Sequence, residues 1–258
     1  MKSCRQPSTR AALTKSEKAD IDKCVKHFEA SRHLFDHAAE AVVSACIRHP
    51  ALKTLIHFIK HRLREPSSLR QKLIGKASKD KKSGRKPTIT KTNLFQRVSD
   101  LAGVRILHLY TDQIAEINKH ILAVFKEQRY RVVEGPIANI WDDEAKAYFN
   151  KLGIKSRPRK TMYTSIHYVV ELNTASRVRC ELQVRTLAEE LWGEVSHTVD
   201  YPTPTRSIAC KEQLKVLARV ASGCTRLVDS IFRSRDEFRS RRSGSGVKQG
   251  RSAKRGRS

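Results

Sequence analysis

The sequence predicts an α/β protein: a mixed sheet of about five strands flanked by helices, with helical extensions at its N- and C-terminal ends. Three observations predict it. Apolar residues recur at three- and four-residue spacing through 16–48, the period of an amphipathic helix. From residue 92 onward, strand-like and helix-like segments alternate, the order expected of helices packed on a sheet. Two alternating runs, 162–172 and 177–186, are separated by the turn-forming stretch "NTAS", which predicts an antiparallel hairpin.

The elements follow in order. Ile21, Val25, Phe28, Phe35, Ala39, Val42 and Cys46 mark a long helix or helical hairpin, broken at Arg32. "LKTLIHFIKHRL" continues it as helix to about residue 64. Pro66 stops that helix, and Ser67 can cap the next, "EPSSLRQKLIGK". The Gly- and Pro-bearing "KASKDKKSGRKPTITK" reads as a basic loop. Then come a short helix at 92–101, strand 103–110, helix 112–128, strand 130–135, a partly helical excursion 139–153, the hairpin, helix 186–200 and a terminal helix 208–236. Residues 1–15 are expected to be a flexible N-terminus, 16–236 one domain, and 237–258 a disordered basic tail.

Composition narrows the function. The chain of 258 residues carries a formal charge of +26. The stretch 239–258 supplies eight basic residues and no acidic one, leaving +18 on the rest of the chain. Polyanionic partners fit such a surface: nucleotides, tRNA or the ribosome. No apolar run is long enough to span a bilayer, so no membrane partner is expected. The N-terminus lacks the apolar core of a secretory signal. Six scattered cysteines, with no CxxC pair, fit reduced thiols of a cytoplasmic protein rather than a disulfide frame or zinc site.

Four stretches bring chemistry-bearing residues together. In "TMYTSIHYVVEL", Tyr163, Ser165 and His167 share one face of a strand, and Ile166, Tyr168 and Val170 share the other. In "VRCELQVRT", Arg179, Glu181, Gln183 and Arg185 alternate with Val178, Cys180, Leu182 and Val184. A solvated sheet face gives the same alternation. These side chains can also bind a metal or take a proton (Glu), hold phosphate (Arg) and stack on a base (Tyr). In "VSDLAGVRILHLY", Asp100 precedes a strand and Arg105 points from one of its faces. A carboxylate at a strand mouth beside a second one is a Mg²⁺–phosphate arrangement, although a turn residue explains Asp100 alone. In "RLREPSSLRQK", Arg62, Arg64, Ser68 and Lys72 form a cationic series able to hold a triphosphate at a helix start, or a solvated basic helix.

Together these stretches resemble the synthetase domain of the RelA/SpoT family, the alarmone (ppGpp) synthetases, over about residues 58–202. Arg62, Arg64, Ser68 and Lys72 keep the spacing of the family's ATP-binding R-x-K-x-x-x-S-x-x-x-K, with Arg64 in place of Lys. Asp100, Ala102, Gly103 and Arg105 match D-x-A-G-x-R. Tyr163, Ser165, His167 and Tyr168 match G-Y-x-S-x-H-Y. Glu181, Gln183, Arg185 and Thr186 match E-x-Q-x-R-T, and "LAEELWGEVSHTVDY" matches the helix that follows.

The resemblance implies a nucleotidyltransferase-like fold and a pyrophosphokinase: the β,γ-pyrophosphate of ATP is transferred to the 3′-hydroxyl of GDP or GTP, giving ppGpp or pppGpp and AMP. It implies Asp100 and Glu181 as Mg²⁺ ligands, and Glu181, Asp100, Tyr163 and His167 as catalytic residues. Arg62, Arg64, Ser68, Lys72 and Arg105 fall on the ATP side. Tyr163, His167, Arg159, Lys160, Gln183 and Arg185 fall on the acceptor side. Where the family reads P-K-x-N-G-Y, this chain has Pro158, Arg159, Lys160, Thr161, Met162 and Tyr163, so the Asn and Gly next to the acceptor are gone. The alternatives are a toxin-type relative that pyrophosphorylates the 3′ end of tRNA, and an inactive RNA-binding homologue. A homo-oligomer through the terminal helices is also compatible. Glu190, Glu194 and His197 on one helix face, Trp192 and Cys180 read as structural.

Overall fold

A computed structural model describes the backbone of residues 12–200 and 204–252 and the side chains through residue 242. The N-terminal layer is helical: α1 (Lys15–Ala30), α2 (Arg32–Arg48) and the short α3 (Pro50–Leu55). Thr14 and Glu17 form a capping box at the start of α1. Most of the expected flexible N-terminus, residues 1–11, lies outside the described residues.

The chain then departs from the helix expected to run to 64. Ile56 ends α3, and Phe58–Leu63 forms strand β1. The residues explain it. Ile59 and Leu63 are half-buried while Phe58, Lys60 and Arg62 are exposed, a two-residue period that exposed His61 interrupts and the flanking helical pattern hides. Pro66 opens α4 (Pro66–Lys82) from its first turn, so Ser67 lies inside the helix and Glu65 is at the cap. That helix also takes in the first half of the stretch expected to be loop.

The remaining elements are α5 (Leu94–Arg97), β2 (Ala102–His108), a 3₁₀ turn, α6 (Ile114–Glu127), β3 (Arg131–Ile140), α7 (Asp143–Lys151), β4 (Lys155–Pro158), β5 (Ser165–Glu171), β6 (Arg179–Thr186), α8 (Leu187–Asp200) and α9 (Ile208–Ser252). Strand β4 has no counterpart in the sequence expectation; it is four residues long and ends in proline, too short to show a period. Helix α9 runs past residue 236 into the stretch expected to be a disordered tail. Residues 253–258 lie outside the described residues.

The sheet has six strands in the order β1-β2-β6-β5-β3-β4. At its centre β2 and β6 are parallel, whereas β1/β2 and β6/β5 are antiparallel. One face is apolar. Val104 and Ile106, Cys180, Leu182 and Val184, and Ile166, Tyr168 and Val170 are at most 1% exposed and lie under α2 and α6. Burying these side chains stabilises the layer by roughly 1.5–3 kcal/mol each. Cys180 is a packed free thiol, pushed by burial up to about 12.

The opposite face is polar and is roofed by α8, against which α9 packs. Registers stack its side chains in two rows across four strands. One row is Lys60, Arg105, Gln183, His167; the other is Arg62, Gly103, Glu181, Val169. Gly135 in β3, the neighbour of β5, lies close against the His167 backbone at the end of the first row. It has φ of +97°, and a Cβ there would lie 2.3 Å from the carbonyl oxygen of His167. Only glycine meets both conditions.

Candidate active site

Asp100 sits just ahead of β2. Its carboxylate accepts from Lys72 Nζ, on α4, at 2.6 Å and from the Arg64 guanidinium, in the β1–α4 connection. Arg64 Nη1 also donates to Ser68 Oγ at 2.9 Å. The series Arg64, Ser68, Lys72 is therefore one hydrogen-bonded group, joined through Asp100, that runs from just before α4 into its first two turns. Burial alone would raise the Asp100 pKa, but Lys72 and Arg64 outweigh it and hold the carboxyl below its ordinary range. Arg62, on the exposed face of β1, makes no ion pair among the described residues and lines the same cleft as Asp100, Arg105 and Glu181.

Glu181 lies on the parallel neighbour of β2, directly across from Gly103. Its Oε1 is 3.0 Å from His167 Nδ1, and its Oε2 accepts from Gln183 Nε2 at 2.7 Å. Burial pushes its pKa up and Asp100 adds to that, but His167 and Gln183 prevail and the carboxyl is held low. The opposite ring nitrogen of His167 is 2.7 Å from Ser165 Oγ and 3.0 Å from the Tyr163 hydroxyl. The carboxylate can only accept, so Nδ1 carries a proton towards it, while Nε2 faces the two hydroxyls.

Tyr163 lies just before β5, in the connection rather than in the strand, which begins at Ser165. Its hydroxyl accepts from Arg185 Nη2 at 2.8 Å, and the Arg185 guanidinium lies over its ring at 4.9 Å. Tyr163 and Met162 both pack against the cluster of Trp192, Ala218 and Ala221, and the Trp192 indole donates to the Leu214 carbonyl. A second cleft lies between Tyr163, Arg185, Thr161 and α8; it shares Arg62, Arg105, Gln183 and Glu194 with the Asp100–Glu181 cleft. The two clefts adjoin across that shared wall.

The expected residues thus converge, with three qualifications. Arg185 is 3% exposed and engaged by Tyr163, Gln183 and Glu190, so it is an internal strut rather than an open contact. Arg159 is exposed and donates to Asn139 at 2.7 Å, and Lys160 is exposed beside it; neither lines the two clefts. Arg105 is held by Glu190 and Glu194, each at 2.6 Å. Lys60 was not anticipated: it lies beside Arg105 and 2.9 Å from Glu190. Reading Phe58-Lys60-Arg62 as a strand would have placed it on the site face.

Two carboxylates, a cationic series and a Tyr–His pair are thus gathered at one sheet face. Residues 61–206 match the model described as a region found in RelA/SpoT proteins.

The chain belongs to the RelA/SpoT family.

The RelA/SpoT region therefore runs from the second half of β1 through α8 and takes in nearly all of the elements that build both clefts. A curated relative is GTP pyrophosphokinase YwaC of Bacillus subtilis (strain 168), 25% identical over 118 residues, 44% of this chain and 47% of that protein. The match spans about half the length of that relative. The small alarmone synthetase 1 of Bacillus subtilis, solved with its product pppGpp, aligns at a TM-score of 0.54 with 21% identity, covering 83% of this chain and 98% of that one. A GTP pyrophosphokinase family protein of Streptococcus pneumoniae aligns at 0.55 with 20% identity, covering 84% and 98%. These two share the fold. Among the described residues no helix is long and apolar enough to cross a membrane.

Proposed function

We propose that this RelA/SpoT protein transfers the β,γ-pyrophosphate of ATP to the 3′-hydroxyl of GDP or GTP and releases AMP. The observation that supports it most is the union, on one sheet face, of two carboxylates with a cationic series on one side and a Tyr–His–Glu chain on the other. The curated relative's name and the product bound to the structural relative point to the same reaction.

On this reading Arg62, Arg64, Ser68, Lys72 and Arg105 hold the donor. Arg64 and Lys72 now neutralise Asp100, and an incoming phosphate chain offers them a second anion. Tyr163 and His167 flank the acceptor, and holding its hydroxyl in line with the β-phosphorus supplies much of the rate. Glu181, a carboxylate kept ionised by its neighbours, takes the hydroxyl proton.

Asp100 and Glu181 suit Mg²⁺: two hard oxygen donors face one cleft, close enough that the charge of Asp100 is felt at Glu181. When bound, Mg²⁺ neutralises donor phosphate charge.

The test is incubation with γ-labelled ATP and GDP, GTP or tRNA. Label in the guanine nucleotide supports the reading. Label in tRNA alone replaces the acceptor, and label in none of them sinks the enzyme reading.

A further inference from the structure

The roof helix α8 carries one carboxylate that touches both halves of the site. Glu190 Oε1 accepts from Arg105 Nη1 at 2.6 Å and lies 2.9 Å from Lys60 Nζ. Glu190 Oε2 is 3.1 Å from Arg185 Nη1. Three cations thus reach one largely buried carboxylate, 10% exposed at its side chain, from the adjacent strands β1, β2 and β6. An ordinary solvated ion pair has neither this burial nor this number of partners.

The contacts do not end at the cations. Arg185 passes from Glu190 to the Tyr163 hydroxyl and to Gln183 Oε1, at 2.8 and 3.0 Å. Arg105 lies in the wall common to both clefts. Helix α8 is also shaped to Arg185. At Gly193, one turn after Glu190, a Cβ would come within 2.4 Å of Arg185 Nη1. The guanidinium occupies the space where any other residue has a side chain.

We propose that Glu190 is a positioning residue that orients the donor-side Arg105 and, through Arg185, the acceptor-side Tyr163, so that its loss weakens the use of both substrates together. Glu194 shares the Arg105 and Lys60 contacts but is 54% exposed at its side chain, whereas the carboxylate paired with Arg185 is that of Glu190, so Glu194 acts on the donor side. The proposal rests on the pyrophosphate-transfer reading for its assignment of donor and acceptor.

A residue that merely staples α8 to the sheet would lower the folded fraction and leave the Michaelis constants unchanged. A positioning residue moves them. Glu190→Gln keeps the volume and removes the charge. With the melting transition checked so that the variant is assayed folded, KM for ATP and KM for GDP are each expected to rise about tenfold, the effect of about 1.4 kcal/mol. Glu190→Asp, which retains the charge, recovers part of the loss. Gly193→Ala presses on Arg185 alone and is expected to raise KM for GDP while KM for ATP stays within about twofold.

A folded Glu190→Gln variant with both constants unchanged overturns the proposal, as does a rise confined to one nucleotide. If the wild-type chain transfers to no acceptor, it is the reaction assignment that fails. Glu190 is then judged by titration with a non-hydrolysable ATP analogue, which the variant must bind about tenfold more weakly; equal binding overturns the positioning role.

Discussion

His167 Nδ1 lies 3.0 Å from Glu181 Oε1, and the far side of the same ring meets Ser165 Oγ at 2.7 Å. The imidazole therefore bridges two adjacent antiparallel strands and fixes the rotamer of the carboxylate it touches. Glu181→Gln keeps the shape and removes the base. Transfer is expected to fall at least about 100-fold with the melting temperature held within a few degrees. A variant retaining more than a tenth of wild-type rate in a labelled-ATP assay refutes the assigned role.

Tyr163 separates two uses of one side chain. Tyr163→Phe keeps the ring for stacking and deletes the hydroxyl bound by Arg185 and His167. We expect a loss of about tenfold in kcat/KM for the acceptor, from a hydrogen bond to a charged group, with binding of an ATP analogue unchanged. Tyr163→Ala should cost the acceptor clearly more. Equal effects of the two variants would show that the ring contributes nothing.

Gly135 offers a test away from the chemistry. Gly135→Ala demands a side chain at positive φ and places Cβ against the His167 carbonyl. A destabilisation of about 2 kcal/mol or more is expected in urea unfolding, accompanied by weaker transfer because the pushed strand carries His167. Unchanged stability would mean that β3 shifts freely.

His108, at the end of β2, is 1% exposed, and burial pushes its pKa down to about 4 against the single compensating contacts of Tyr110 and Gln113. The unfolded imidazole takes its proton near 6.5, the buried one near 4. The unfolded state therefore binds more protons in that window, and stability falls as pH drops from 6.5 towards 4. Between pH 7 and pH 5 the contribution is about 2 kcal/mol. His108→Gln should flatten the difference in urea midpoint between those two pH values; an unchanged difference would assign the acid sensitivity to other groups.

Much of this was legible in the sequence, for identifiable reasons. The hairpin declared itself because the runs 162–172 and 177–186 both alternate and only the four residues NTAS divide them. The pairing of Asp100 with Glu181 followed from motif order rather than from pattern, since nothing local says that β6 lies parallel to β2. Strand β1 was hidden because "LKTLIHFIKHRL" carries apolar residues at both periods and follows a long helix. With β1 read as helix, Lys60 fell off the site face. Glu190 was legible only as one member of a helix face with Glu194 and His197, which reads as structural; its partners lie on three strands, and no sequence spacing reports such convergence. Arg185 was legible as chemistry but not as burial, which depends on the missing side chain of Gly193.

The parallel pair at the centre of the sheet has a kinetic consequence. Gly103 and Glu181 are register partners although 78 residues separate them. Neither carboxylate meets its companion until that long loop closes. Closure of such distant contacts is the slow part of folding, whereas helices form early. During refolding from urea, helical circular dichroism should return ahead of nucleotide binding, and the interval between them measures how long the chain exists with its secondary structure complete and its two halves of chemistry still apart.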